Sequence, residues 1–113
     1  MNHADFAADG RTFVVSCEFS GQLLLVDTAG ERVLKVLRLP IRPGKMQPMP
    51  QDVKLSPDGT ILWVSGRYHG VVYAVRLSTG KLLARIKVGS GPHGLAVFPQ
   101  PGRYSLGHTG VFR

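Results

Sequence analysis

Residues 54–66 read KLSPDGTILWVSG: a short alternating segment, a Pro-Asp-Gly turn, then a run of β-formers. Taken alone this is a hairpin. What decides the fold is whether it recurs, because a fixed internal period marks stacked supersecondary units. It does recur. DFAADGRTFVVSCEFSGQLLLVDTAGERVLKVLRL, from Asp5, can be laid on VKLSPDGTILWVSGRYHGVVYAVRLSTGKLLARIKV, from Val53, with one added residue. Gly10 then falls on Gly59, Ser16 on Ser65, Phe19 on Tyr68, Gly21 on Gly70 and Val26 on Val75. Past the added residue, Gly30 meets Gly80, Glu31 meets Lys81, Lys35 meets Arg85 and Val36 meets Ile86. A third copy opens at PHGLAVFPQPGRYSLGHTG, with Gly102 in the place of Gly59 and Leu106 in that of Trp63.

Each complete unit predicts four short strands. The first is HADFA or DVKLS, followed by a turn in which Pro pre-sets φ and Gly is free to take φ > 0. The second is TFVVSC or ILWVSG, rich in β-branched and aromatic side chains. Gly21 and Gly70 sit where the next hairpin needs a residue tolerant of positive φ, and LLLVD or VVYAV forms the third strand. In LARIKV, Ala84, Ile86 and Val88 alternate with Arg85 and Lys87, which predicts an outer strand with one buried and one wet face.

Composition agrees with an all-β domain. The 113 residues carry 43% apolar and 19% charged side chains, which argues against disorder, and the 14 Gly and 8 Pro suit many tight turns. The net charge of +7 comes from Lys and Arg scattered between Arg11 and Arg113 with no block of five or six. That is a solvated surface rather than a nucleic-acid footprint, and no specific nucleic-acid binding is expected. Cys17 is the only cysteine, so no intrachain disulfide, CxxC site or CxxCH haem attachment can form. Set in the apolar run FVVSCEF, it is expected to be buried and inert. MNHADFAADG lacks a basic segment followed by an apolar core, and no window approaches 18 apolar residues. No signal peptide or membrane span is expected in this chain, so the default location is cytoplasmic, or periplasmic or secreted for a truncated chain.

Four-stranded antiparallel units at a period of about 40 to 50 residues are the pattern of β-propeller blades. LSPDGTILWVSGRYHGVVYAVRLSTGKLLARIKVGSGPHGLAVFP resembles the YVTN-type bacterial β-propeller repeat family, and is similar in pattern to the cytochrome d1-like and nitrous oxide reductase-like propellers. The resemblance covers nearly the whole chain, on turn and packing residues. It implies strand, SPDG turn, strand, Gly-containing hairpin, a strand ending near a D-T-x-T-G-like turn, an outer strand and then G-x-x-P. Arg76 stands where the family usually has Asp, the first unit has Ala-Ala-Asp-Gly for Ser-Pro-Asp-Gly, and PQPG carries an additional residue.

The expected organisation is a blade over 1–39, a Pro-rich linker or rim loop over 40–50, a blade over 51–89, and a partial blade with the C-terminal tail over 90–113. Residues 40–50 hold four of the eight prolines, a density that no strand interior tolerates. Propellers close with typically four to eight blades, whereas about two and a half are present here, an open or partial propeller. Either the chain is a fragment of a longer propeller, the favoured reading, or copies self-associate to complete a ring. An unclosed stack exposes blade faces and strand edges that promote pairing.

The candidate site is the central channel. His3 and His93 lie at the starts of innermost strands, and the second unit offers Gln51 and Asp52 there. The resemblance implies that such channel histidines bind copper or a haem-type cofactor in some propeller enzymes; the residue-level reading is polar channel residues hydrogen-bonded to backbone. His69 falls in a hairpin and His108 in the tail, with surface or packing roles. Asp9 and Asp58 cap their own turns, and Trp63, Tyr68 and Tyr73 pack between blades. No Ser-His-Asp order, G-x-S-x-G, G-x-G-x-x-G or H-E-x-x-H is present, and the G-x-G of GSGPHG precedes a strand rather than the helix that phosphate binding needs. The expected function is a non-enzymatic binding or scaffolding module for a protein or small-molecule ligand at the channel end or rim, with no cofactor and no catalytic residue. The alternative is part of a propeller-type redox or metal/haem-dependent enzyme with its site in the central channel.

Overall fold

The computed structural model describes residues 2–7, 10–41, 43–44 and 46–97. Asp9, His108 and the third unit from residue 98 onward, with Gly102 and Leu106, lie outside the described residues. The described chain is all-β. It forms β1 (Ala4–Phe6), β2 (Thr12–Cys17), β3 (Gln22–Asp27) and β4 (Arg32–Arg38), then β5 (Pro50–Leu55), β6 (Ile61–Gly66), β7 (Val71–Arg76) and β8 (Leu82–Lys87). These make two four-stranded antiparallel sheets, each with its strands in chain order. Residues 92–97, at the start of the third unit, follow without regular structure.

The hairpin between the second and third strands turns through a single 3-10 turn, Glu18–Ser20 or Arg67–His69, and closes on a left-handed glycine. Gly21 (φ 67°) and Gly70 (φ 63°) take the conformation the sequence demands there.

The outer hairpin departs from the sequence alignment. Every strand pairing of the first sheet except the terminal Asp27↔Arg32 recurs in the second at a constant displacement of 49. Ala4↔Val15 becomes Val53↔Val64, Thr12↔Asp27 becomes Ile61↔Arg76, and Gln22↔Arg38 becomes Val71↔Lys87. Both sheets carry a bulge at the same place, after Leu25 and after Ala74. No residue is added between the units, so the counterpart of Gly80 is Glu31, and Lys35 and Val36 answer to Ala84 and Arg85. Gly80 has φ 75° and Glu31 has φ 49°, the same left-handed turn position held once by glycine and once by a residue that pays for it sterically. The shared glycine at 30 and 80 is a coincidence of composition.

Residues directly opposite on antiparallel strands share a face. On the first sheet, Asp5, Val14, Ser16, Leu23, Leu25, Lys35 and Leu37 face the second sheet, and we call this the trailing face. The second sheet answers with Val53, Leu55, Leu62, Val64, Val71, Tyr73 and Val75, its leading face. Val14, Leu23, Val53, Leu62, Val64 and Tyr73 are wholly excluded from water, and this face-to-face layer is the core. Lys35 Nζ donates to the carbonyls of Leu77 and Ser78 at the rim of the same interface.

Several expectations change here. Ile86 and Val88 on the alternating outer strand are exposed, because no complete sheet covers the trailing face of the second blade among the described residues. Cys17 is half-buried rather than buried. Tyr68 is exposed in its hairpin, whereas Tyr73 does pack in the core. The Pro-rich segment is not all rim: Pro48, Met49 and Pro50 are buried, and Pro50 opens β5 opposite Gly66, where strand starts tolerate proline.

Candidate functional site

The strand starts at one end of the two sheets are tied together by a repeated serine. Ser16 Oγ accepts the His3 N–H (3.0 Å) and donates to the carbonyl of Gln51 (2.9 Å), stitching the first blade to the second. Ser65 Oγ accepts the Asp52 N–H (2.9 Å) and donates to the carbonyl of His93 (2.6 Å), stitching the second blade to the third unit. Both serines are fully buried. Through this register His3 occupies the place of Asp52, and His93 that of Gln51.

Three of the four, His3, Asp52 and His93, therefore meet, while the Gln51 side chain turns to Asn2 and Glu18. The His3 and His93 rings stand edge to face with centroids 5.5 Å apart, and His3 Nδ1 lies 3.6 Å from Asp52 Oδ1. Asn2 Nδ2 donates to Gln51 Oε1 (3.0 Å), and Gln51 Nε2 donates to the Glu18 carboxylate at the hairpin edge. Asp52 is fully buried, and both of its oxygens take backbone donors: Val53 N–H on Oδ1 (2.9 Å) and Leu95 N–H on Oδ2 (2.7 Å). Asp52 thus fixes the third unit's entry. Among the described residues no group of three or more His, Cys, Asp or Glu is placed to hold a metal ion, and two imidazoles beside a carboxylate already engaged do not fit one.

One turn deeper, Asp5 reaches across the interface to accept the Leu55 N–H at 2.8 Å. Burial pushes its carboxyl above the usual range, opposed by that hydrogen bond and by the Lys54 ammonium. Lys54 is itself buried, and its Nζ has no hydrogen-bond partner among the described residues. Asn2, Asp5, Ser16, Glu18, Lys54 and Ser65 carry no motif. The one signal in the sequence is the coincidence of Ser16 with Ser65 in the repeat.

The other candidates have structural roles. His69 Nε2 meets the Met46 carbonyl (2.8 Å), so it carries the proton, and Nδ1 accepts from Tyr73 Oη at 2.7 Å. Asp58 Oδ1 accepts from Ser56 Oγ, Thr60 Oγ1 and Thr60 N–H, and these bonds hold its carboxyl down at about 2. Trp63 and Val72 line a hollow of about 330 Å³ with Leu95, Ala96 and Val97, between the second blade and the third unit's first segment.

The geometry is shared with solved β-propellers. Over 90% of this chain, the β-propeller domain of Cps50 (Swd1) from Myceliophteria thermophila superposes with a TM-score of 0.69 at 17% identity, covering 29% of that chain. Hydrazine synthase from Kuenenia stuttgartiensis gives 0.72 at 23% identity over 83% of this chain and 25% of its own. The periplasmic gluconolactonase PpgL of Pseudomonas aeruginosa gives 0.67 at 28% identity over 96% and 32%. The chain spans about a quarter to a third of the length of these structures. No protein-family model matches the chain, and no curated protein matches its sequence. Its fold is that of two β-propeller blades and the beginning of a third, a partial propeller.

Proposed function

We propose that the chain is a YVTN-type blade set acting as a non-enzymatic binding module, whose ligand is taken at the channel end by His3, Gln51, Asp52 and His93. The observation that carries this reading is the convergence of His3, Asp52 and His93, with two buried serines fixing the backbone of these residues and of Gln51 and the His93 side chain left open to solvent. Asp52 is spent on backbone donors, so its role is to position His3 and Leu95. Gln51 is likewise buried, with its amide engaged by Asn2 and Glu18, so the imidazoles are the groups that can address a ligand, and they suit a small polyhydroxylated molecule with hydrogen-bond donors and acceptors. The name of the gluconolactonase neighbour supports sugar acids and their lactones as the first ligands to try. The redox or metal-dependent alternative has less support, because among the described residues no three His, Cys, Asp or Glu side chains are assembled to hold a metal.

The test is a titration of the protein with sodium gluconate, and separately with glucono-lactone, followed through the imidazole resonances. Saturable shifts of His3 and His93, with His69 unmoved, are expected. Shifts confined to His69, or none up to millimolar ligand, would refute the assignment.

A further inference from the structure

The charge of the chain is divided unevenly along its length. All seven carboxylates lie at or before Asp58, together with seven Lys and Arg, whereas residues 59–113 carry the other seven Lys and Arg and no Asp or Glu. The whole net charge of +7 therefore belongs to the part of the chain that begins at the turn before β6. A cation there has no acidic neighbour in its own stretch of sequence, and such an imbalance attracts anions.

Two of these cations line a hollow of about 320 Å³. Its walls come from three segments: Arg67 and Tyr68 in the turn between β6 and β7, Lys87 at the end of β8, and the run Gly89-Ser90-Gly91 that follows. The run is pinned to the hairpin, since Val88 N–H donates to the Gly70 carbonyl (3.0 Å) and a Cβ on Gly70 would stand 2.8 Å from the Gly89 carbonyl oxygen. No carboxylate lines the hollow, and neither Arg67 nor Lys87 makes an ion pair among the described residues. The Ser90 and Gly91 N–H groups donate to no backbone carbonyl there either. Gly89 (φ 150°) and Gly91 (φ 66°) hold conformations closed to most side chains, although a Cβ at either would meet nothing within 4 Å. Glycine is thus required by the path of the backbone, and that path leaves two amide donors spare in a hollow that also holds two cations. His69 lines it too, but both of its ring nitrogens are taken, by Tyr73 and Met46.

The first blade has no equivalent. Glu18 stands in the place of Arg67, its carboxylate is held by Gln51, and Gln47 and Pro48 lie over Gly21 where the second blade leaves the hollow.

We propose that the hollow is a second binding site, taking a small phosphate monoester whose phosphate is held by Arg67 and Lys87 and by the Ser90 and Gly91 amides. Such a group carries about 1.5 to 2 negative charges and three acceptor oxygens near neutral pH, which matches two cations and two spare donors, whereas a carboxylate offers a single charge. The helix N-terminus that a Gly-rich phosphate loop ordinarily uses is lacking, and two side-chain cations stand in its place. The site is separate from the channel end, being built on a hairpin and the outer strand rather than on the inner-strand starts.

The test is a titration of the whole chain with glycerol phosphate, against sodium chloride at the same ionic strength, followed through the Ser90 and Gly91 amide resonances. A saturable shift of both amides, with the His3 and His93 imidazoles unmoved, is expected. Arg67→Gln and Lys87→Gln should each weaken binding about three- to tenfold, the scale of one exposed charge-assisted contact. Arg76→Gln removes the same charge from the far end of β7 and should leave the affinity unchanged. Shifts no larger than chloride produces, an equal loss in R76Q, or saturation at His3 and His93 alone would each overturn the proposal. The comparison of glycerol phosphate with chloride uses the unaltered protein, so it decides the matter even if R67Q or K87Q failed to fold.

Discussion

Replacing Glu31 with glycine should stabilise the protein, although glycine is ordinarily the less stable choice. Glu31 holds φ 49° at the turn between β3 and β4, and a left-handed conformation costs a residue with a Cβ roughly 1–2 kcal/mol. Glycine removes that cost and gives back roughly 0.5–1 kcal/mol as backbone entropy in the unfolded chain. The net gain is about 0.5–1 kcal/mol, a rise in melting temperature of roughly 2–6 °C for a domain of this size. The reciprocal change, Gly80→Ala, should cost about 1–2 kcal/mol, since it adds the same strain at φ 75° and drives a methyl to 2.8 Å from Leu37. Thermal and urea unfolding followed by circular dichroism measure both. The reasoning turns on the left-handed conformation of Glu31: at a negative φ, Glu31→Gly would only loosen the unfolded chain. A fall in stability for E31G, or a neutral Gly80→Ala, would refute it.

Two further outcomes follow from the hydrogen bonds. Ser16→Ala and Ser65→Ala should each lose about 1–3 kcal/mol in urea unfolding, because each strands one buried and one part-buried backbone group, and S65A should also broaden the His93 imidazole signal; a loss indistinguishable from zero would remove the serine from the inter-blade link. Asp58 has a folded pKa of about 2 against 3.8 for the free group, so its contribution is fully present above 3.8 and is lost as the pH falls through about 2. The stability difference between wild type and Asp58→Asn should accordingly be constant near neutral pH and shrink between pH of about 4 and 2; a difference that grows as the solution is acidified would reverse the sign of the argument.

The architecture was legible because blade turns impose conformations that few residues satisfy. Gly21 and Gly70 at positive φ, the Asp58 turn and the β-branched runs TFVVSC and ILWVSG are local requirements, and the strands β2 and β6 match those runs. The outer hairpin was misaligned for the same reason inverted: a glycine occurs at 30 and at 80, and residue identity outweighed spacing, although only the hydrogen-bond register shows that Glu31 has taken the strained place. Burial was legible only as far as neighbours were. FVVSC reads as core, but Val14 and Ser16 point to the next blade while Val15 and Cys17 point to the opposite face, and period-two alternation does not say which face has a partner.

The channel end shows where residue type stops being informative. His3, Gln51, Asp52 and His93 were legible as polar residues at inner-strand starts, but pairing the histidines with each other treated them as equivalents. The register instead makes His3 equivalent to Asp52 and His93 to Gln51, so the two imidazoles come from different positions of the repeat. That is why they can touch at all. Equivalent residues on successive blades are carried apart by the blade rotation, whereas residues one position out of step lean across the interface into contact, as Asp52 does toward His3 and Leu95. The serine that sets this offset makes the same two bonds in both blades, so its hydroxyl, more than any of the ionisable groups, determines the spacing of the two imidazoles.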